Sequence, residues 1–391
     1  MKIGIVGCGY IANYYATTLP NHPELELVGV TDINTDRAKK FAKFYGVKHF
    51  STVEDLLKEQ EISIVLNCTN PHSHYEVSRA VLMANKHVYT EKPMGMDFDE
   101  ASKLVNLAKE RKLFIASAPS ILLGEYAQGI MKALKDKEIG HPILAYAQLD
   151  DGAVHDMRYW TWISRTGTEW PYENEFKIGS LLEHAGYCLT LLTAFFGPVK
   201  EVQAYTRCLV PNKINKDRID DLGPDYSEAC LEFRSGMVAR LTIGSVAPHN
   251  HSLMIVGDEG VLTTDDLYWD VQQKVYIQKR ITSDSKDRKN SHVYLTEKEE
   301  YEFERPEDFE FRSQDEVNVD WAKGVAELAD AILHKRKCRL DMSHALHVME
   351  IIDVLENARS FSGPQKIRTV FDPIEAADWI KEGKLPKGLT A

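Results

Sequence analysis

Positive charge is the first thing this sequence is short of. Its 47 Lys and Arg stand against 59 Asp and Glu, a formal net charge of −12. A surface of that sign repels nucleic acid and anionic membrane unless a local basic patch overrides it. The two short basic stretches, Lys279-Arg280 and residues 335–339, have acids close by in sequence and read as solvated faces. Paired cysteines are missing too: Cys8, Cys68, Cys188, Cys208, Cys230 and Cys338 are scattered with no C-x-x-C spacing. That excludes the usual zinc ribbons and suits a reducing compartment. No apolar run approaches the roughly 18 residues of a membrane helix. There is no internal repeat and no low-complexity tract. Because a motif begins within the first ten residues, no room remains for a signal peptide, and the expectation is a cytoplasmic protein with no nucleic-acid and no membrane partner.

What is present is ordinary globular composition, 43% hydrophobic and 27% charged over 391 residues, enough for two or three packed domains. Up to about residue 120, short apolar runs (2–6, 25–31, 63–67, 87–89, 113–117) alternate with helical patterns (11–19, 35–45, 74–84, 98–111). Ser51-Thr52-Val53-Glu54 and Asp97-Phe98-Asp99-Glu100 resemble capping-box starts. Strand and helix in alternation predict a doubly wound parallel sheet of the Rossmann kind. After Pro119 the pattern changes. A helix over 122–137 is followed by strand-like segments at 143–150, 199–209, 227–233, 237–245 and 252–256, with Arg234-Ser235-Gly236 as a hairpin turn. Fewer helices intervene, so the second sheet is expected to be large, open and mostly antiparallel. Residues 279–311 are heavily charged and read as an elaborated surface segment; helices are expected at 317–334 and 343–360. The predicted division is residues 1–120 for a nucleotide domain and 121–391 for a substrate and oligomerisation domain, the helices of 317–362 packing back on the first.

The loop Gly7-Cys8-Gly9-Tyr10-Ile11-Ala12 follows the first strand and opens a helix, the G-x-G-x-x-G/A form of a dinucleotide loop. Gly7 permits the tight turn, Gly9 lets the backbone approach a pyrophosphate, and Ala12 is small enough for helix–strand packing. The pyrophosphate would sit on the helix N-terminus. Asp32, about 20 residues on, can accept from the adenosine ribose 2′-OH and repels a 2′-phosphate, so NAD is expected in preference to NADP. Two further clusters stand at strand ends, where open α/β sheets bind ligands: Thr69-Asn70-Pro71-His72-Ser73-His74 and Glu91-Lys92-Pro93.

In this order the three motifs resemble those of the Gfo/Idh/MocA family of sugar and inositol oxidoreductases, and the resemblance runs nearly the whole chain. It implies a Rossmann domain followed by an α/β domain whose exposed sheet face makes a homodimer or homotetramer. It places Lys92 beside the nicotinamide and the reacting carbon, with Pro93 often cis and Glu91 balancing the charge. Burial can lower such a lysine towards a useful range. Relatives carry D-x-G-x-H on the substrate helix; here Glu183-His184-Ala185-Gly186-Tyr187 puts Glu183 in the Asp place and Tyr187 in the His place. Tyr187 has precedent in branches resembling glucose–fructose oxidoreductase and dihydrodiol dehydrogenase. On a regular helix 183 and 187 share a face and 184 points about 100° away, so either Glu183 with Tyr187, or His184, meets the substrate. His155, Trp162 and Arg165 in the loop 150–175 are candidate substrate contacts. His249-x-His251 and His344/His347 lack convergent partner ligands in the sequence, and no metal is expected.

The function so implied is hydride transfer between NAD and a secondary alcohol of a sugar, cyclitol or polyol. Two alternatives stay open: an enzyme that recycles tightly bound NAD in glycoside cleavage or epimerisation, and a non-catalytic dinucleotide-binding sensor.

Overall fold

The computed structural model describes residues 1–214, 222–267, 273–282, 293–303, 319–378 and 380. The first six strands are β1 (Lys2–Val6), β2 (Glu26–Thr31), β3 (Lys48–His49), β4 (Ile64–Asn67), β5 (His87–Thr90) and β6 (Ile115–Ser117). They form one parallel sheet in the order β3-β2-β1-β4-β5-β6. The order reverses at β1, whose neighbours are β2 on one side and β4 on the other, so the crevice above the carboxyl end of β1 is where a ligand fits. Both faces of the sheet are covered, and that is why Ile3, Ile5, Ile64, Val65 and Leu66 are all fully buried in unbroken apolar runs.

Helix starts follow local chemistry. Asn34 accepts from the Arg37 N–H, and Asp97 from the Glu100 N–H. The cap of the helix Val53–Lys58 is Thr52, one residue later than the capping-box pattern beginning at Ser51 suggested, and its hydroxyl accepts from Asp55.

The second sheet is built from β7 (Pro142–Asp150), β8 (Val199–Arg207), β9 (Tyr226–Phe233), β10 (Val238–Gly244), β11 (Leu253–Gly257), β12 (Gly260–Thr264), β13 (Tyr276–Thr282), β14 (Val293–Leu295), β15 (Glu299–Glu300) and β16 (Gln365–Lys366). Their order is β14-β13-β12-β11-β7-β10-β9-β8-β16, with β15 also on β13. Pairing is antiparallel except between β7 and β10, which run parallel in register from Leu144–Val238 to Asp150–Gly244. One face packs on the helix Gly186–Phe196 and on Met342–Glu356 through Leu189, Leu192, Leu231, Leu241 and Ile351. The opposite face carries Tyr205, Val238 and Met254, each more than a third exposed.

Two sequence expectations shift. The helix read over 122–137 is broken at Gly124 into a short turn, Ile121–Leu123, and the helix Glu125–Lys135. The charged stretch beginning at Lys279 contributes ladder: Lys279–Thr282 completes β13, which pairs with β14 and β15. Residues 283–292 and 304–311 of that stretch, and 317–318 of the helix expected at 317–334, lie outside the described residues. The described helix is Lys323–Leu333, packed with β5 of the first sheet at Tyr89, in one buried cluster with Val325 and Leu328.

Candidate active site

A cleft of about 1640 Å³ starts at the glycine loop and runs to the substrate helix. At the loop, Gly7 has φ +91°, and a Cβ there would stand 2.5 Å from the Cys68 carbonyl oxygen. Only glycine tolerates both conditions. Gly9 differs: φ is −74° and a Cβ would meet nothing within 4 Å. No internal contact of the fold excludes a side chain at Gly9; the space it leaves open belongs to the cleft. Tyr10 and Ile11 line that space, whereas Ala12 is fully buried and packs inward. These features fit a dinucleotide laid on the N-terminus of the helix Tyr10–Thr18.

Asp32 ends β2 with its carboxylate nearly buried. Oδ2 accepts from the Cys8 N–H at 2.7 Å, and Oδ1 from the Asn34 N–H at 2.7 Å. Arg37 Nη1 lies 3.6 Å from Oδ2. The side chain thus locks the glycine loop to the end of β2 and still presents negative charge to the cleft beside the fully exposed Ile33.

Thr69, Asn70 and Pro71 line the cleft, and the loop they belong to is organised from below by Asn67. Asn67 accepts from the Thr69 hydroxyl at 2.7 Å and donates to the His74 carbonyl and Ser78 hydroxyl. His74 is buried, its Nδ1 2.6 Å from the Pro93 carbonyl and Nε2 3.1 Å from that of Thr69. It braces the two strand-end loops against each other, and burial holds its pKa below the ordinary value. His72 is exposed.

The Lys92–Pro93 peptide is cis. Glu91 is buried and held by the Tyr15 hydroxyl at 2.5 Å on Oε1 and the Lys92 N–H at 3.1 Å on Oε2. The Lys92 ammonium pairs with Glu183 Oε2 across the cleft. Burial opposes that positive charge, but the carboxylate of Glu183, the strongest of the acids around it, outweighs burial and holds the lysine above its usual value. The expectation that burial would lower Lys92 is therefore overturned: its ion pair with Glu183 supplies more than the lost hydration removes.

Glu175, on the helix Tyr172–Ile178, was not singled out in the sequence. Burial and the neighbouring Glu183 push its carboxyl well above the usual range, so it keeps its proton and bonds to Glu183. Burial also opposes ionisation of Glu183, but Lys92 and the bond from Glu175 hold it below the ordinary carboxylate value. Two carboxyls and one ammonium therefore share one proton between the acids, a chain Lys92–Glu183–Glu175 with ionised, ionised and neutral members.

The substrate segment does not begin as a regular α-helix. Leu181–Ala185 form a π-turn that leads into Gly186–Phe196. The wider turn changes which side chains share a face, and Glu183, His184 and Tyr187 all line the cleft. The choice between a 183/187 face and a 184 face does not arise. His184 Nε2 lies 2.8 Å from Asp151 Oδ2. Asp151 Oδ1 is in turn 2.9 Å from His251 Nε2. Burial disfavours charge on His251, yet Asp151 and Asp266 raise its pKa to about 9.

Among the loop candidates, Trp162 lines the cleft and packs on Trp170 with ring centroids 5.0 Å apart. His155 and Arg165 are not among the lining residues; His155 sits 3.7 Å from Asp156, and exposed Arg165 acts on Tyr45. His344 and His347 are structural struts. His344 Nε2 meets the Thr193 hydroxyl at 2.7 Å, and His347 Nε2 accepts from the Val199 N–H at 2.9 Å.

Residues 1–118 match the oxidoreductase family with an NAD-binding Rossmann fold, and residues 128–263 match the GFO/IDH/MocA C-terminal domain. The chain belongs to the GFO/IDH/MocA oxidoreductase family. It is 30% identical over 161 residues to glucose-6-phosphate 3-dehydrogenase of Bacillus subtilis (strain 168), a match covering 41% of this chain and 45% of that protein, less than half its length. It is 24% identical over 299 residues to myo-inositol 2-dehydrogenase of Thermotoga maritima, covering 75% of this chain and 82% of that protein. A 3-ketoreductase from Actinomadura kijaniata, solved in complex with NADP, shares the fold with a TM-score of 0.67 at 20% identity, over 92% of this chain and 97% of that one. The named relatives are dehydrogenases and a ketoreductase, and this chain is an oxidoreductase of Rossmann type. Among the described residues no helix is long and apolar enough to cross a membrane.

Proposed function

We propose that the protein transfers a hydride between NAD and a secondary hydroxyl-bearing carbon of an uncharged sugar, cyclitol or related polyol. The observation that carries this is the Lys92–Glu183 pair in a cleft continuous with the glycine loop. When bound, the nicotinamide supplies the hydride acceptor or donor. Gly7, Gly9, Tyr10 and Ile11 would hold the pyrophosphate end, Asp32 the adenosine ribose, and Thr69, Asn70 and Pro71 the nicotinamide half.

The chain's own residues then divide the work. Lys92 stays charged and cannot serve as a base, so it acts as a fixed donor that stabilises negative charge developing on the substrate oxygen. The hydroxyl proton must pass to a group with a free lone pair. Glu183, His184 and Tyr187 line the cleft with Lys92 and are the candidates, Glu183 with Glu175 bonded to it and His184 with Asp151 to orient its ring. Trp162 offers an apolar wall for a sugar ring.

The charge of the cleft supports an uncharged substrate. Around the substrate helix Glu91, Asp151, Glu169, Glu173 and Glu183 line it, with Lys92 paired to Glu183 and Lys213 to Asp225 at 2.8 Å, while the other lining cations, Arg37 and Lys40, stand on the helix after Asp32. A phosphorylated sugar would meet this excess of carboxyls. NAD rather than NADP is supported by the Asp32 charge at the ribose end. The exposed face with Tyr205, Val238 and Met254 supports a homodimer or homotetramer through the second sheet, which light scattering of the purified protein tests.

The deciding experiment adds the protein to NAD with a panel of free and phosphorylated sugars, sugar acids and inositols and follows NADH. Stoichiometric NADH from an uncharged polyol is the expected result. Product without net NADH would replace this reading with NAD recycling. Tight NAD binding with no turnover across the panel would replace it with a sensor.

A further inference from the structure

At the same cleft, linked to His184 through Asp151, the fold gathers His249, His251 and Asp266. One ligand atom from each lies within 4.8 Å of the others. Spacing explains the two histidines: they are two apart in the chain leading into β11, and residues i and i+2 of an extended segment point the same way. Asp266 arrives from the end of β12, where its backbone bridges His251 and the Leu267 N–H donates to the His251 carbonyl at 2.8 Å. The Asp150–Asn250 bridge, with both backbone bonds at 2.9 Å, fixes the other side. The backbone of His251 and Asp266 is thus pinned by sheet-type contacts, and His249 adjoins the pinned Asn250.

We propose that His249, His251 and Asp266 bind one divalent transition-metal ion of the zinc class, with an open coordination position facing the substrate cleft. Three features of the geometry carry this. First, Asp151 Oδ1 sits 2.9 Å from His251 Nε2. A carboxylate on one ring nitrogen orients the ring so that Nδ1 ligates once the ion displaces its proton, the usual arrangement of a metal-bound histidine. Second, Nδ1 stands 3.5 Å from Asp266 Oδ1. Two ligands each about 2.0–2.1 Å from a tetrahedral ion are separated by roughly 3.4 Å, so an ion fits between them with little movement. His249 Nε2, 4.0 Å from Asp266 Oδ2 on a half-exposed side chain, can swing in to complete the set. Third, two histidines and a carboxylate are three protein ligands, the number found at sites that keep one position for water or substrate. His249 and His251 line the same cleft as Lys92, Glu183 and His184. A substrate hydroxyl is the group that would take the open position, so this part of the proposal rests on the polyol reading above.

The test titrates the full-length protein, freed of metal by chelation, with cobalt(II), and reads its visible absorption. One ion per chain with an intense, low-symmetry spectrum is expected. His249→Ala and Asp266→Asn should each weaken binding at least tenfold, His249→Ala without shifting the thermal melt of the metal-free protein. No stoichiometric uptake, or uptake unaltered in both variants, overturns the site. Uptake with a spectrum that no polyol substrate perturbs retains the ion and overturns its substrate contact. Because uptake is read without turnover, failure of the site and failure of the dehydrogenase reading are distinguishable.

Discussion

Replacing Lys92 by Met removes the ammonium and keeps an unbranched stem of similar length. Two consequences follow from the geometry. Glu183, with its side chain 5% exposed, loses the cation that keeps it ionised. Removing one partner of a buried pair costs about 3–5 kcal/mol, a ceiling that Glu183 lowers by taking up a proton. The substrate oxygen also loses its fixed donor, which slows turnover by about 10²–10⁴-fold, or roughly 2.7–5.4 kcal/mol of barrier at about 1.36 kcal/mol per decade. The two effects separate in a second variant. Lys92→Met with Glu183→Gln carries neither charge, so it recovers most of the melting temperature and none of the turnover. The sign of the pH dependence is a further check. In the wild type the Glu183 pKa is held down, so its contribution is present above the unfolded value near ~4.3 and lost as pH falls through the folded one. Without Lys92, burial raises that pKa. The contribution is then complete below ~4.3 and is lost as pH rises through the raised value. Thermal melts between pH 4 and 8 and initial rates of NADH formation read both. Turnover of Lys92→Met within threefold of wild type, or melts whose pH dependence parallels the wild type's, would refute the reasoning.

Gly7→Ala and Gly9→Ala should fail in different ways. The first forces a Cβ to 2.5 Å from the Cys68 carbonyl at positive φ and lowers the melting temperature, whereas the second meets no atom of the fold and should leave the melt unchanged while weakening NAD binding tenfold or more by calorimetry. Asp32→Asn keeps one acceptor for the Cys8 and Asn34 N–H groups but removes the charge, so the ratio of NAD to NADP affinity should fall by about tenfold; an unchanged ratio would show that Asp32 does not face the ribose. His344 and His347 are buried neutral, at about 3 and about 4, because burial disfavours their cations. Both folded values lie below the unfolded one near ~6.5, so the stability they contribute is complete above that and lost as pH falls towards about 3. His344→Gln should flatten the acid limb of a melt series, and an unchanged limb would count against the neutral assignment.

The difference between what the sequence showed and what it hid is largely one of sequence separation. The glycine loop, Asp32 and the Glu91-Lys92-Pro93 tripeptide are legible because each does its work within a few residues of a strand end, where the pattern itself fixes the position. The same holds for the parallel sheet, whose buried strands are uninterrupted apolar runs. The partners of those residues were invisible. Glu175 meets Glu183 only because the helix Tyr172–Ile178 folds onto the π-turn, and no local periodicity signals a π-turn or a shared proton. Asp151 reaches His251 from 100 residues away, and Asp266 joins His249 across a turn between strands whose alternation was weak. The lysine shows why this matters for chemistry. Taken alone, a buried lysine should lose its proton and serve as a base; paired with the ionised Glu183 it keeps it and serves as a cation. The role of Lys92 is thus set by an acid on a distant element, Glu183, kept ionised in part by its bond from Glu175 on another, so its function is a property of the folded cleft rather than of the tripeptide that marks it.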